Sequence, residues 1–385
     1  MRNKFFLFVA GGLAVVILMA PGGAVLSATL PQPTQKMLDK LKLDASILDG
    51  LDQELRVPED WIEKAKKEGK VQVRGTPASS REINTIMAPF KERYPFIEFD
   101  YAGANRQGRT VTTLMAYKSG RVLTDIIYSV GAFVTEFEKA GGLEDLRVIP
   151  TLAKVPEGVK GPDGAWTGTS MLYWCLSYNT RLVKQGDLPK TWEDLLFNPI
   201  WRGGNFALGN RPNLFVGNLW MVKGEKWAKD FVTKLFTEVK PQLRKEGMNS
   251  LAQLAAAGEF YGVAPSNYRR VFQMAEEGAP VSFHCPEPVP SSTEEAVILK
   301  GSPHPNAAKV FLNWLLSKEG QIARYYGGGW GPVHKELQRK EFLPFSEEIV
   351  GKKQAFRDPV RIDEVMPPLF EYWNALWLKG VGTAR

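Results

Sequence analysis

The chain has 385 residues, of which 44% are hydrophobic and 24% charged, as in an ordinary globular protein. This length allows two or three domains, and the composition excludes collagen, coiled coil and wholesale disorder. With 49 Lys and Arg against 42 Asp and Glu, the net charge is +7. So small an excess, scattered without a long basic block, argues against nucleic-acid binding and suits a local site for an anion.

The two cysteines and three histidines restrict the metal chemistry that the chain can support. Cys175 and Cys285 lie 110 positions apart, which excludes the CxxC pairs of zinc and thioredoxin-type sites. Three histidines leave little room for a histidine-rich metal centre. We therefore expect no cofactor and no metal site.

Residues 1–28 have the order of a secretory signal. Arg2 and Lys4 precede an apolar run from Phe5 to Met19, and small residues follow it. The run is shorter than the ~20 residues that a membrane-spanning helix needs. We expect a signal peptide over 1–28 and a periplasmic mature protein, with an uncleaved membrane anchor as the alternative.

The mature chain begins with residues 29–60, whose apolar residues have partly helical spacing, interrupted by Gly50 and Pro58. We predict an accessory helical leader there, of unassigned role. From Trp61 the pattern changes to short strands alternating with helices, beginning with the strand KVQVRG. This alternation predicts an α/β domain with a mostly parallel sheet.

Two long extended segments, SMLYWCLSYN at 170–179 and PVSFHCPEP at 280–288, divide this pattern. They predict two α/β lobes joined by two crossover strands, with a ligand cleft between the lobes. Cys175 and Cys285, on these strands, either form a disulfide that restrains the hinge or remain two buried thiols. The expected boundaries are residues 61–172 with 287–337 for lobe 1 and 173–286 for lobe 2, while the C-terminal helices at 338–385 stay unassigned.

Loops that follow predicted strands of the first lobe offer hydrogen-bond donors for an anion. One loop, RGTPASSRE, leads into a helix whose free N–H groups and dipole favour an anion, and AGANRQGRT adds guanidinium groups. An ordinary helix cap and a polar surface turn are the alternatives. The candidate residues are Ser79, Ser80, Arg81, Asn105, Arg106, Arg109 and Ser129.

The second lobe has two matching turns, GNRPNLF at 209–215 and APSNYRRVF at 264–272. Ligands of open α/β sheets lie beyond the carboxyl ends of strands, so four such turns together favour a binding cleft. Each arginine alone is more often a solvated side chain. The candidates here are Arg211, Asn213, Asn267 and Tyr268, with Tyr173 on the first crossover strand and Trp330 in the loop GGGWGP as a stacking residue.

Several stretches resemble the extracellular solute-binding proteins of ABC importers, in the group whose members bind ferric iron, phosphonates, sugar phosphates or thiamine. The most specific are PKTWEDLLFNPIWRGG and the helix ending LLSKEGQ, and the resemblance extends from about Trp61 to Leu337. It implies a type 2 periplasmic-binding-protein fold that closes on one ligand and docks on a permease in the inner membrane. The leader is not part of the usual pattern.

The resemblance also implies a way to distinguish ligands. A ferric site of this family uses neighbouring tyrosines, whereas the matching positions here read Ser266–Asn267–Tyr268–Arg269, with one tyrosine beside a positive charge. We therefore expect a monomer that binds a small anionic solute, such as a phosphonate, phosphate ester or carboxylate, without catalysis. Ferric-iron binding through Tyr268 and an exported enzyme on the same fold are the alternatives, although the GxSxG, GxxxxGK[ST] and HExxH motifs are absent.

Overall fold

The computed structural model describes residues 30–383, which form a mixed α/β fold. The segment expected to be the signal peptide, residues 1–28, lies outside the described residues. Within the described part of the chain, no helix combines the length and the apolar character needed to cross a membrane.

The leader is helical and is fixed to the rest of the chain by buried polar contacts. The Thr34 hydroxyl donates to Glu319 Oε1 over 2.6 Å, and Glu54 Oε2 accepts from the Lys318 N–H over 2.9 Å. The carboxylates of Glu54 and Glu319 are both buried. A buried carboxylate needs hydrogen-bond partners, and these contacts supply them. The helices are α1 (Gln32–Leu41), α2 (Leu51–Glu54) and α3 (Glu59–Glu68).

The first part of the sheet is parallel, with β1 between β2 and β3. Alternate residues of β1 are buried, because Val71 and Val73 point into the core. Ser79 begins the next helix by accepting a hydrogen bond from the Glu82 N–H over 3.1 Å. These elements are β1 (Lys70–Gly75), α4 (Ser80–Arg93), β2 (Glu98–Gly103), α5 (Thr112–Lys118), β3 (Ile126–Tyr128) and α6 (Phe133–Lys139).

The second part of the sheet has the order β4-β7-β5-β6, in which β7, β5 and β6 are parallel to one another and β4 is antiparallel to β7. Strand β4 contributes to both parts of the sheet, since it also pairs with β9 (Val289–Ile298). These elements are β4 (Thr167–Asn179), α7 (Asp194–Phe197), β5 (Phe206–Gly209), α8 (Val216–Lys223), α9 (Glu225–Lys234), β6 (Gln242–Arg244), α10 (Met248–Ala257), β7 (Gly262–Asn267) and α11 (Tyr268–Glu276).

The chain then returns to the first part through β9, which lies between β3 and β4 and is antiparallel to both. All of β9 is buried, as expected for a strand covered on both faces. The remaining elements are β8 (Val281–His284), β9 (Val289–Ile298), α12 (Pro305–Leu316), α13 (Lys318–Gly328), β10 (Gln354–Phe356) and α14 (Ile362–Thr383). The predicted fold class, two α/β lobes joined by two crossover strands, is confirmed.

The position of the second crossover differs from the prediction at 280–288. Strand β8 ends at His284 and pairs with β4 only, and the crossing is made by the later strand β9. Pro286 and Pro288 separate the two strands, because proline has no N–H to donate to a ladder.

A disulfide joins Cys175 on β4 to Cys285, directly after β8. Both half-cystines are buried, and the bond therefore ties these neighbouring strands together where the chain leaves the second lobe. The sequence was compatible with either a disulfide or two free thiols, and the structure contains the disulfide.

Helix α14 packs on the second part of the molecule. Its residues Leu369, Trp373 and Trp377 are buried in one core cluster with Phe215 and Leu219, at and after the start of α8. The C-terminal helix, which the sequence could not place, therefore covers the second part of the sheet.

Candidate functional site

Glu294 on β9 is the centre of a buried polar network at the carboxyl ends of β1 and β3. It accepts hydrogen bonds from the hydroxyls of Thr76 at 3.5 Å and Ser129 at 3.0 Å. Arg324 on α13 forms an ion pair of 2.5 Å with it, and both side chains are almost fully buried. Burial lowers the pKa of Arg324, but the Glu294 carboxylate and the phenols of Tyr128 and Tyr101 together raise it more, so the net shift is upward. The network therefore places the Arg324–Glu294 ion pair in the cleft, and the two charges of this pair cancel.

A cavity of about 40 Å³, which is room for a water molecule or two, lies between this network and α4. Two of its lining residues are phenols. The Tyr101 hydroxyl donates to the Thr76 carbonyl over 2.6 Å, whereas the buried Tyr128 hydroxyl has no hydrogen-bond partner among the described residues. Burial raises the pKa of both phenols, so they stay neutral at physiological pH.

Arg269, the second residue of α11, makes the contact between the lobes. Its Nη2 lies 2.7 Å from a Glu82 carboxylate oxygen on α4, and its Nε donates to the Gly328 carbonyl over 2.5 Å. The guanidinium also lies 3.4 Å from the centre of the Trp330 ring, whose N–H donates to Glu82 over 2.9 Å. Burial lowers the pKa of Arg269, and the charge of Glu82 opposes this shift. The sequence predicted a stacking role for Trp330, and its partner here is a side chain of the protein itself.

Tyr268 and Tyr173 are buried beside this contact, with ring centres 5.4 Å apart. The Tyr268 hydroxyl accepts from the Gly331 N–H over 2.8 Å and lies 3.0 Å from the Gly329 carbonyl oxygen. Burial raises the pKa of Tyr268 to about 12. The phenol that the sequence offered as a ligand is thus used for backbone contacts at the junction of the lobes.

Arg106 and Arg109 lie after β2, where Arg106 precedes and Arg109 belongs to the π-helical turn Gln107–Val111 that leads into α5. Arg109 donates to the carbonyls of Ser129 at 3.2 Å and Ala104 at 3.1 Å, and Arg106 lies over the Phe133 ring at 5.3 Å. Neither arginine has a carboxylate oxygen within 4.0 Å among residues 30–383. Ser129 has a φ of +50°, which is strained for a residue with a side chain and is held by its bond to the network. Arg109 is partly buried and Arg106 is exposed, and neither guanidinium is paired with a carboxylate of the described residues.

Three other candidates cap local structure. Ser79 caps α4, Asn105 accepts from the Gly108 N–H over 2.9 Å, and Asn267 caps α11 by accepting from the Arg269 N–H over 3.1 Å. These are the ordinary roles that the sequence offered as alternatives.

The remaining candidates are on the surface of the loops. Ser80, Arg81 and Arg211 are exposed, and the Arg211 side chain donates to the neighbouring Asn210 carbonyl over 3.0 Å. Asn213 is partly buried. A role in binding stays a prediction for all of them.

Sequence reasoning missed most of the buried network. Among the residues not anticipated are Glu82, Tyr101, Tyr128, Glu294 and Arg324. One signal was present: Glu294 and Glu295 are the charged residues of a buried strand, and charged residues on a buried strand need partners. Arg324, the partner of Glu294, is 30 positions away on a helix, where nothing in the local pattern marks it.

Comparisons with known proteins agree with this architecture. The family model described as bacterial extracellular solute-binding protein matches residues 122–347. Iron uptake protein A2 of Synechocystis sp. (strain ATCC 27184 / PCC 6803 / Kazusa) is 28% identical over 306 residues, 74% of this chain and 79% of that protein.

Solved structures share the fold at low identity. Iron-bound HitA from Pseudomonas aeruginosa superposes with a TM-score of 0.65 at 20% identity, over 80% of this chain and 99% of that one. AfuA from Actinobacillus pleuropneumoniae, with fructose-6-phosphate bound, has a TM-score of 0.61 at 17% identity, over 82% and 99%. The expected type 2 periplasmic-binding-protein fold is confirmed. The family match covers more than half of the chain, and the protein therefore belongs to the bacterial extracellular solute-binding proteins, the substrate-binding components of ABC importers.

Proposed function

We propose that the protein captures a small anionic solute, a phosphonate, phosphate ester or carboxylate, between its lobes and delivers it to a permease of the inner membrane. The observation that carries this proposal is Arg109, a partly buried guanidinium beside Ser129 that has no carboxylate oxygen within 4.0 Å among residues 30–383, with the exposed Arg106 on the same segment. A guanidinium in a partly buried cleft gains most from an anionic oxygen, because charge-assisted hydrogen bonds are the stronger ones.

Two acidic residues of the cleft are already paired with other arginines. Glu294 is neutralised by Arg324, and Glu82 by Arg269. An anion near Arg109 therefore meets a Glu294 carboxylate that is already paired and a guanidinium whose hydrogen bonds go to backbone carbonyls, which favours an anion over a cation.

Capture follows from the two-lobed architecture. Donors of the first lobe follow β2 and β3, and Arg269 on α11 of the second lobe contacts Glu82, Gly328 and Trp330. Only the closed state offers contacts from both lobes, so a solute that touches both shifts the population towards closure. The chemistry is binding alone, and no step of it requires a nucleophile.

Ferric iron is the second candidate. Tyr101, Tyr128 and Glu294 line one cavity, and phenol and carboxylate oxygens are ligands that a hard cation prefers. The likeness to iron uptake protein A2 also favours this candidate. The neighbouring guanidinium of Arg324 and the raised pKa values of both phenols oppose it.

A thermal-shift screen of the purified mature protein distinguishes the candidates. The probes are inorganic phosphate, methylphosphonate, fructose 6-phosphate and citrate, with ferric citrate and ferric nitrilotriacetate in parallel. Stabilisation by an iron-free anion supports the proposal, since a ligand of the native state raises the melting temperature. Stabilisation by both ferric complexes, with none by the iron-free anions, would refute it and support iron. Chemical conversion of a probe, followed by NMR, would support the exported enzyme.

A further inference from the structure

We infer that residues 342–352 form a third connection between the lobes, a short tether that limits how far the lobes open. The crossover strands β4 and β9 are the other two connections. The tether lies in the C-terminal part of the chain, which the sequence could not assign to a lobe. This inference goes beyond the proposed function, because it concerns the motion of the lobes and does not depend on the solute.

The tether begins on the first lobe at Phe342. This side chain is 1% exposed, and its ring centre lies 5.7 Å from that of Tyr325 on α13, in an edge-to-face arrangement. The chain just before it is also fixed to the first lobe, since Glu336 forms an ion pair of 2.9 Å with Lys318 at the start of α13. Phe342 is therefore the last attachment to the first lobe.

Three residues later, the chain is attached to the second lobe. The Phe345 ring lies 5.6 Å from the Phe283 ring on β8 and 6.1 Å from the Phe272 ring on α11. Ile349 extends this attachment, because it is buried in the same core cluster as Phe283. The chain thus crosses from one lobe to the other within residues 343–344.

A polar latch holds the tether on the second lobe. It consists of Glu348 and Lys352 of the tether, with His284 and Cys285 at and after the end of β8. The Glu348 carboxylate lies 2.8 Å from His284 Nδ1 and accepts from the Cys285 N–H over 3.2 Å. Lys352 Nζ donates to the Cys285 carbonyl over 2.8 Å and to Glu348 over 2.9 Å. Because Cys285 is bonded to Cys175 on β4, the latch is fastened to a rigid part of the second lobe.

The spacing of the two attachments determines what the tether can do. Phe342 and Phe345 are three residues apart, and three residues of fully extended chain span at most about 11 Å. The lobes therefore cannot separate far on this side while both attachments hold. Without the latch and the Phe345 contacts, the free chain would extend from Phe342 to Gln354 at the start of β10, with a maximum span of about 40 Å. The latch thus makes the difference between a tight tether and a slack one.

The backbone at the crossing has the features of a hinge position. The φ of Phe345 is +56°, in the left-handed region that residues with a side chain rarely adopt. Such a conformation persists only where surrounding contacts hold it, and the Phe283 ring and the latch supply those contacts. Hinges are a few loop residues that absorb a change of φ and ψ, so Phe345 is placed to turn when the lobes move.

Two insertions of Gly-Ser-Gly-Ser test the tether. The first, between Leu343 and Pro344, adds up to about 14 Å of reach between the two attachments and changes neither of them. The second, between Gln338 and Arg339, lies before the first attachment, at exposed residues, and is the matched control. The assay is small-angle X-ray scattering of the ligand-free protein. Both insertions are measured alone and together with Arg269→Ala, which removes a direct contact between the lobes.

We expect the first insertion to raise the radius of gyration and the second to leave it unchanged. A compact chain of this length has a radius of about 20 Å, and moving two equal lobes about 3 Å further apart adds about 1 Å. The rise should be larger in the Arg269→Ala background. Lys352→Ala, which removes part of the latch, should cause a smaller rise, whereas Lys353→Ala, at an exposed neighbour, should cause none.

Equal radii for the two insertions and the protein without an insertion, in both backgrounds, would overturn the inference. Equal rises for both insertions would also overturn it, because they would reflect the added chain and not the tether. Equal radii for Lys352→Ala and Lys353→Ala would overturn the role of the latch. The melting temperature of each variant shows whether it is folded. Since no solute is added, a failure of the tether leaves the proposed function intact, and a failure to bind anions leaves the tether intact.

Discussion

Replacing Arg269 with alanine should shift the ligand-free protein towards an open state. Arg269 belongs to α11 of the second lobe, whereas its partners Glu82, Gly328 and Trp330 belong to α4 and to α13 and its following loop. The substitution removes an ion pair, a hydrogen bond and a cation–π contact at once. All three join the lobes, so their loss acts on closure more than on the folding of either lobe.

The magnitude follows from burial. Loss of one partner from a fully buried ion pair costs about 3–5 kcal/mol. Here the two side chains are 12% and 17% exposed, and Glu82 keeps its hydrogen bond from Trp330. We therefore expect about 1–3 kcal/mol, which lowers the closed-to-open ratio roughly 5- to 150-fold.

Small-angle X-ray scattering of the ligand-free protein is the assay. The radius of gyration of Arg269→Ala should exceed that of the unmodified protein. Arg270→Ala is the matched control, because Arg270 is the next residue, is also partly buried and makes no side-chain hydrogen bond or ion pair among the described residues. Equal radii for all three proteins would refute the reasoning, since the contact would then not hold the lobes together.

Two further predictions concern stability. Burial raises the pKa of Glu348, but His284 at 2.8 Å, the Lys352 ammonium and the Cys285 N–H together outweigh burial and bring the value down to about 2. Because this folded-state pKa lies below the unfolded value, the ionised Glu348 stabilises the protein above about pH 4.5, and this stabilisation is lost as the pH falls towards 2. Glu348→Gln should therefore reduce the acid-induced loss of unfolding free energy, measured with urea, by up to about 3 kcal/mol. The exposed Glu347→Gln should not change it. Replacing Cys175 and Cys285 with serine should lower the free energy of unfolding by about 2–5 kcal/mol, because the disulfide closes a loop with a separation of 110 residues. An unchanged urea midpoint of the double serine variant would contradict the prediction for the disulfide. Plots of unfolding free energy against pH that coincide for the two glutamine variants would contradict the prediction for Glu348.

The local features of the fold were predictable from the sequence. Alternating apolar residues in KVQVRG predicted β1, and the serines after it predicted the cap of α4. Both depend on residues within a few positions of one another, where periodicity and capping act. The second crossover was misplaced because PVSFHCPEP and the strand after it are both extended, and only pairing with β4 distinguishes them.

The site was predictable only in part. Arg106 and Arg109 were found because they follow a strand, which the order of elements reveals. The pair of Glu294 and Arg324 was missed because the two residues are 30 positions apart, on a strand and a helix that only the folded chain brings together.

By itself, the sequence determined the alternation of strands and helices, the two lobes and the polar loops at their strand ends, because these depend on neighbouring residues. The tertiary structure alone decided which charges meet. Arg269 and Glu82 are 187 positions apart, and the same arginine in solvent would be a donor for a solute rather than a contact between lobes. Charge depends on residue type, but the partner of a charge depends on where the folded chain brings it.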